Sequence, residues 1–505
     1  GSPRFINPIL ALSDADRDLT ALVYSGLLRA TPEGEYLPDL ASSYERSADG
    51  LTYTAVLREE AAFHDGTRVT AEDIIFTVHK AQASALKSPL RANWDGVGVE
   101  KVDDRTVRFT LKAPYAPFIE NLTLGILPAR LWQSVSGEEF PFSELNTNPI
   151  GSGPYMVAGI TRSQGGIPSA YTLRSNSSYP LGEPSLTPLT LQFYQTEAAL
   201  ATALADGELE RGSGLSAEGL RGITQTPRTA PLNRVFGVFF NQNQSQVLRN
   251  RAVREALSQA VDREALVEEV LGGYGTPLMG PVPPSLLKME VAQQEGDAAL
   301  AARQKLIDGG WRLESGVLVH GKGDAIERLS LSLATGNVPE LRRAAQYLSE
   351  TWGRMGAEVD VQVYEQGDLT QNVIRPRKYD ALLFGEVIGR ELDLFAFWHS
   401  SQRNDPGLNI ALYANSAADS ALERMRATGS DTERLELYNA FATELARDIP
   451  AVFLYAPDFV YSVPNDLQGL NLGLVETPSD RFLSVPSWHR EVDYVWPIFS
   501  IRKDK

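Results

Sequence analysis

The sequence contains no cysteine. Disulfides, thiolate catalysis and cysteine-ligated metals are therefore excluded. It also lacks any apolar run near the roughly 20 residues that a membrane-spanning helix needs. The opening Gly-Ser-Pro-Arg-Phe is not a basic region followed by an apolar stretch, so it does not read as a signal peptide. Any signal or lipid-attachment cysteine is expected upstream of Gly1. Clusters of positive charge are missing too. With 47 Lys and Arg against 64 Asp and Glu, the net charge is −17. Such a surface repels phosphate backbones, and nucleic acid is not an expected partner. Histidine is scarce: His64, His79, His320, His399 and His489 are the only five. No two have metal-ligand spacing and H-E-x-x-H is absent, so no metal and no cofactor are expected.

Catalytic signatures are equally thin. There is no G-x-S-x-G elbow. "GVLVHGKG" places Gly316, Gly321 and Lys322 at phosphate-loop spacing, but Gly323 stands where the magnesium-binding Ser or Thr belongs. The flanking segments read as strands, so a hairpin turn is expected there. No pair of acids stands out as a general acid and base. An enzyme is not expected.

What is present reads as mixed helix and strand. A chain of 505 residues is too long for one hydrophobic core, so two or three domains are expected. "LTYTAVLR" sets Leu51, Tyr53, Ala55 and Leu57 on one face, and "RTVRFTLK" does the same for Val107, Phe109 and Leu111. This alternation predicts half-buried antiparallel strands. Between them "TAEDIIFTVHKA" predicts a helix with Thr70 as N-cap and Asp73 reaching back. One long helix is predicted after Asn250, ending at Gly272 and Gly273. Another is predicted from Asp431, with Leu435, Tyr438, Phe441 and Leu445 on its apolar side. "AVFLYAPDFVYSV" reads as a buried strand crossing between domains. Pro-, Gly- and Asn-rich stretches at 146–154 and 224–233 are candidate boundaries.

Several segments resemble one known family. They are "VYSGLL", "PDLASSYE", "DGLTYTAVLR" and "FHDGTRVTAEDI", followed by "PIGSGPYMV", "VFFNQ" with "VREALSQAVDRE", "YDALLFGE" and "ERLELYNAFATELARDIPAVFLY". In order and spacing they resemble the family 5 solute-binding proteins, the dipeptide-, oligopeptide- and nickel-binding receptors of ABC importers. The resemblance implies an α/β (mixed α+β) chain of periplasmic-binding-protein type. Two large lobes would meet at a hinge, with a third, smaller α+β domain beside them. Domain I would comprise 1–41, 147–234 and 466–505, domain II 42–146, and domain III 235–465. The implied protein is monomeric and extracytoplasmic, held to a membrane only through an upstream lipid anchor. It would capture a short peptide between domains I and III and present it to importer permease subunits. Other solutes that the family carries, such as a nickel chelate, haem or an oligosaccharide, remain open, as does a peptide hydrolase or holder on the same scaffold.

In peptide-binding members an acid just after the cleft strand pairs with the ligand's α-ammonium. Glu386 best matches that position, with Asp393 as the other candidate. Trp398 is the expected cleft aromatic, Tyr24 a pocket residue from domain I, and Arg403 a partner for a ligand carboxylate. Asn241 is expected near the hinge strand. A backbone-directed mode, in which an extended peptide adds as a strand, would tolerate many side chains.

Overall fold

The computed structural model describes residues 1–287, 297–323 and 326–490. The C-terminal stretch 491–505 of the expected domain I lies outside the described residues. Local signals act largely as their chemistry dictates. The Thr70 N–H donates to Asp73 Oδ2 at 2.9 Å, and the helix Ala71–Gln82 follows. Strand Thr52–Leu57 pairs antiparallel with Thr106–Thr110, burying Tyr53, Ala55, Val107 and Phe109. Ala41–Arg46 and Gly98–Asp103 complete this four-stranded sheet. Arg312–Glu314 and Val317–His320 form a hairpin, so the glycines around Lys322 belong to turns between strands rather than to a phosphate loop.

Two helix expectations need correction. The stretch after Asn250 is two helices, Arg251–Gln259 and Arg263–Leu271. Asp262 divides them, because its carboxylate accepts the Ala265 N–H at 3.0 Å and starts a new helix. In Asp431–Asp448 the buried residues are Leu437, Tyr438, Phe441 and Leu445, while Leu435 is exposed.

Three apolar clusters organise the molecule. The first runs without a break through residues 6–189 and returns with Ala230, Leu232 and 459–488. It unites the four-stranded sheet with the three-stranded sheet of Tyr155–Arg162, Pro168–Ser175 and Leu189–Gln192. The other two clusters cover opposite faces of the sheet that contains Arg234–Phe240, Ala381–Val387 and Ser330–Gly336. Period-two alternation explains the division: Leu383 faces one cluster and Leu382 the other. Both faces are covered, which explains the near-continuous apolar runs of these strands.

The strand Ala451–Ser462 joins the two halves. Its first part pairs with Arg234–Phe240, and its last residues pair with Arg228–Pro231 and Gly212–Ser213. Beside it the Leu232 N–H donates to Pro457 O at 2.9 Å and the Asn233 N–H to Val475 O at 2.8 Å. The lobes are thus joined by a few adjacent extended segments, the usual construction of a hinge.

Candidate binding site

The first-lobe side of the junction is built by three of the quoted sequence motifs, which fold onto one another. The helix Asp14–Val23 ends at Tyr24, and the Gly153 N–H donates to Val23 O at 2.8 Å. A Cβ on Gly151 would lie 2.0 Å from Val23 O, and one on Gly153 would lie 2.7 Å from Val23 C. The two glycines are therefore needed for close backbone approach. His64 clamps the same loop: its N–H donates to Gly151 O at 2.8 Å, and its Nδ1 accepts from the Gly151 N–H at 3.3 Å. Its Nε2 lies 3.1 Å from Gly153 O and donates to it. Burial pushes the imidazole down to about 4, so it is neutral and holds this pattern at neutral pH. Tyr24 is buried beside Gly125, and its hydroxyl has no partner among the described residues.

The opposite side centres on the strand Ala381–Val387. Along one edge it pairs in full with Arg234–Phe240. Along the other, Ser330–Gly336 pairs only as far as Leu333↔Ala381 and Ala334↔Leu382. Among the described residues, Phe384 to Val387 thus present a strand edge with no strand against it. Such an edge carries unpaired N–H and C=O groups and is a template for another extended chain.

Glu386 lies on this segment, opposite Val235. It is 3% exposed, and neither carboxyl oxygen has a hydrogen-bond partner among the described residues. Burial raises its pKa well above the usual carboxylate range. Asp393 is in the opposite condition. It accepts from Tyr115 Oη at 3.1 Å and from Arg426 Nε at 3.0 Å, with Arg426 Nη2 at 2.8 Å. The Arg426 guanidinium also lies 4.2 Å from the Phe395 ring centroid and 4.9 Å from that of Tyr115. The Ala116 N–H donates to Arg426 O at 2.9 Å, so this clasp joins the four-stranded-sheet unit to the second lobe.

Three expected site residues lie elsewhere. Trp398 does not face a cleft: it is 0% exposed, packed among Phe239, Tyr413, Phe441 and Phe453. Its helical phase turns it into the core rather than outward. Asn241 is not at the hinge. It follows the far end of Arg234–Phe240, about 26 Å along the strand from Asn233. Its Nδ2 donates to Arg377 O and its Oδ1 accepts from Asn243 N–H, so the side chain shapes a turn. Arg403 is exposed and donates from Nε to Ser400 O within its own turn.

Sequence reasoning missed Tyr115, Glu120, Arg390, Arg426, Glu476 and Asp480, which meet at the junction. Tyr115, between Pro114 and Pro117, carries the signal of a loop tip. Nothing local marks the others.

The profile of the bacterial extracellular solute-binding proteins, family 5, matches residues 35–406. The chain belongs to this family. Protein XP55 of Streptomyces lividans is 29% identical over 94% of this chain and 85% of its own length. The oligopeptide-binding protein AppA of Bacillus subtilis is 26% identical over 93% and 87%. Among solved structures, AppA of B. subtilis in complex with a nonapeptide has 25% identity and a TM-score of 0.73, covering 97% of each chain. The ABC transporter substrate-binding protein CtaP of Listeria monocytogenes has 26% identity and a TM-score of 0.79, also over 97% of each. The mixed α/β architecture is that of periplasmic binding proteins, and the chain is a solute-binding receptor rather than an enzyme. Among the described residues no helix is long and apolar enough to cross a membrane.

Proposed function

We propose that this receptor captures short peptides by adding them as a strand to the free edge at Phe384–Val387, and that domain I closes against domain III over them. The observation that carries this is the open edge itself, which ends where the two lobes meet. Main-chain bonding there is indifferent to side chains, which suits a ligand of variable sequence. The similarity to a receptor solved with a nonapeptide supports the same ligand class. The division into 1–41, 147–234 and 466–505, then 42–146, then 235–465, is supported by the separate four-stranded sheet and by the crossing strand Ala451–Ser462. An importer's permease subunits would receive the closed form.

Glu386 is the better candidate for the amine anchor. A buried carboxyl with no internal partner gains most from a ligand ammonium, whereas Asp393 already has Arg426 and Tyr115. Removing one side of such a pair costs about 3–5 kcal/mol.

Calorimetry with peptides recovered from the denatured protein tests both parts. N-methylation of the peptide backbone at a pairing position is expected to abolish binding; unchanged affinity would remove the strand-addition mode. Glu386→Gln is expected to weaken a free-amine peptide far more than its N-acetylated form, and equal losses would remove the anchor. A single non-peptide mass released on denaturation would overturn the ligand class.

A further inference from the structure

Four distant segments bring ionisable groups together beside the hinge. Arg390 comes from the loop after Ala381–Val387 in the second lobe. It pairs with Asp480, and its Nη2 donates to Leu474 O at 3.2 Å, both in the first lobe. Asp480 is fixed in turn by accepting the Glu476 N–H at 2.8 Å and the Thr477 N–H at 3.1 Å. Glu120, from the short helix Phe118–Asn121, lies over Gly389, where an added Cβ would meet its Oε2 at 3.3 Å. The Glu120 and Glu476 carboxyls hydrogen-bond to each other, with Tyr36 and Arg390 beside them. A hydrogen bond between two carboxyl groups requires that one of them hold a proton. Glu391 also faces the group, but it has Arg434 at 3.4 Å, which Asp431 shares. Arg390 is thus the cation that serves Asp480, Glu120 and Glu476 together.

We propose that Arg390 and the proton-sharing pair Glu120–Glu476 form a latch that sets the balance between open and closed lobes without touching the ligand. This rests on the hinged reading above. Burial comes first among the causes that push Glu476 up to about 8; Glu120 and Asp480 add to it, and Arg390 opposes it. Burial likewise raises Glu120. Withdrawal of the second-lobe loop admits water and removes part of that cause, so the open form binds its proton less tightly. Closure is therefore favoured most where both forms hold the proton, and this advantage is lost progressively as the pH rises to about 8. Between the lower pKa of the open form and that value the closed-to-open ratio falls by up to roughly tenfold per pH unit, the slope of one proton, and above it the ratio is constant.

The absence of cysteine makes the test direct. Ser163→Cys and Thr443→Cys, both at exposed positions, place one spin label on each lobe. Pulsed dipolar spectroscopy without added ligand then reads the interlobe distance from pH 6.5 to 9.5. Two populations are expected, shifting toward the longer distance as the pH rises to about 8 and constant above it. Glu476→Gln is expected to keep the short distance at every pH, because its amide bonds Glu120 without a shared proton. Arg390→Gln is expected to favour the long distance throughout. Glu120→Gln provides a second removal of the titration if Glu476→Gln does not fold. Two populations that ignore pH, or a Glu476→Gln or Glu120→Gln profile that still shifts, would overturn the latch and leave the hinge intact. Unchanged populations in Arg390→Gln would overturn the part assigned to that residue. One distance at every pH would overturn the hinge and the latch with it.

Discussion

Acidification should loosen the first-lobe side of the site through His64 in particular. The neutral ring accepts the Gly151 N–H at Nδ1 and donates to Gly153 O from Nε2. A protonated ring cannot accept, and its charge would be buried. The fold therefore lowers the imidazole from its ordinary 6.5 to about 4, chiefly by burial. The unfolded chain takes up the proton below about 6.5, and the folded chain only below about 4. Between those values the unfolded state holds more protons, so stability falls as pH falls. At 1.36 kcal/mol per pH unit this amounts to about 3 kcal/mol across the window. Urea unfolding, followed by tryptophan fluorescence at intervals from pH 7 to 4.5, measures it. Carboxylates titrate in the same range, so the informative quantity is the difference in slope between the wild type and His64→Gln. The variant is expected to be less stable at pH 7 and to lose less on acidification. Parallel slopes would refute the assignment, since they would place no titration at residue 64.

Two further outcomes follow from the packing. Gly153→Ala puts a methyl within 2.8 Å of three backbone atoms of Leu22, Val23 and Tyr24. It should cost about 2–3 kcal/mol in chemical denaturation, and a neutral result would mean that the helix end can retreat. Asn409 is 0% exposed and donates to the carbonyls of Trp398, His399 and Tyr413 while accepting the Tyr413 N–H. Asn409→Ala leaves that N–H and those carbonyls unpaired, so it should cost about 3 kcal/mol and speed proteolysis near residues 399–413. Unchanged cleavage would show that water replaces the amide.

Much of this protein was legible along the chain because the signals involved are local. Strand alternation around Tyr53 and Phe109, the Thr70–Asp73 cap and the continuous apolar run from Ala451 act over a few residues. Their outcome needs no distant partner. The sequence by itself also excluded disulfides and thiolate chemistry and carried the family resemblance in order. Where a local signal competed with another, the reading slipped. Asp262 as a new N-cap outweighed the helical period that crosses it, and Leu437 took the buried face expected for Leu435.

The tertiary structure decided which charges are free. Glu386 and Asp393 stand seven residues apart and read alike as anchors. Their difference arises only because Tyr115 and Arg426 arrive at Asp393 while apolar packing closes on Glu386. Likewise Trp398 looks like a ligand aromatic until Phe239, Phe441 and Phe453 surround it. The junction of Glu120, Arg390, Glu476 and Asp480 is assembled from segments up to 360 residues apart, counted from Glu120 to Asp480. Desolvation and charge pairing are properties of the assembled space around a group, and no spacing along the chain encodes them.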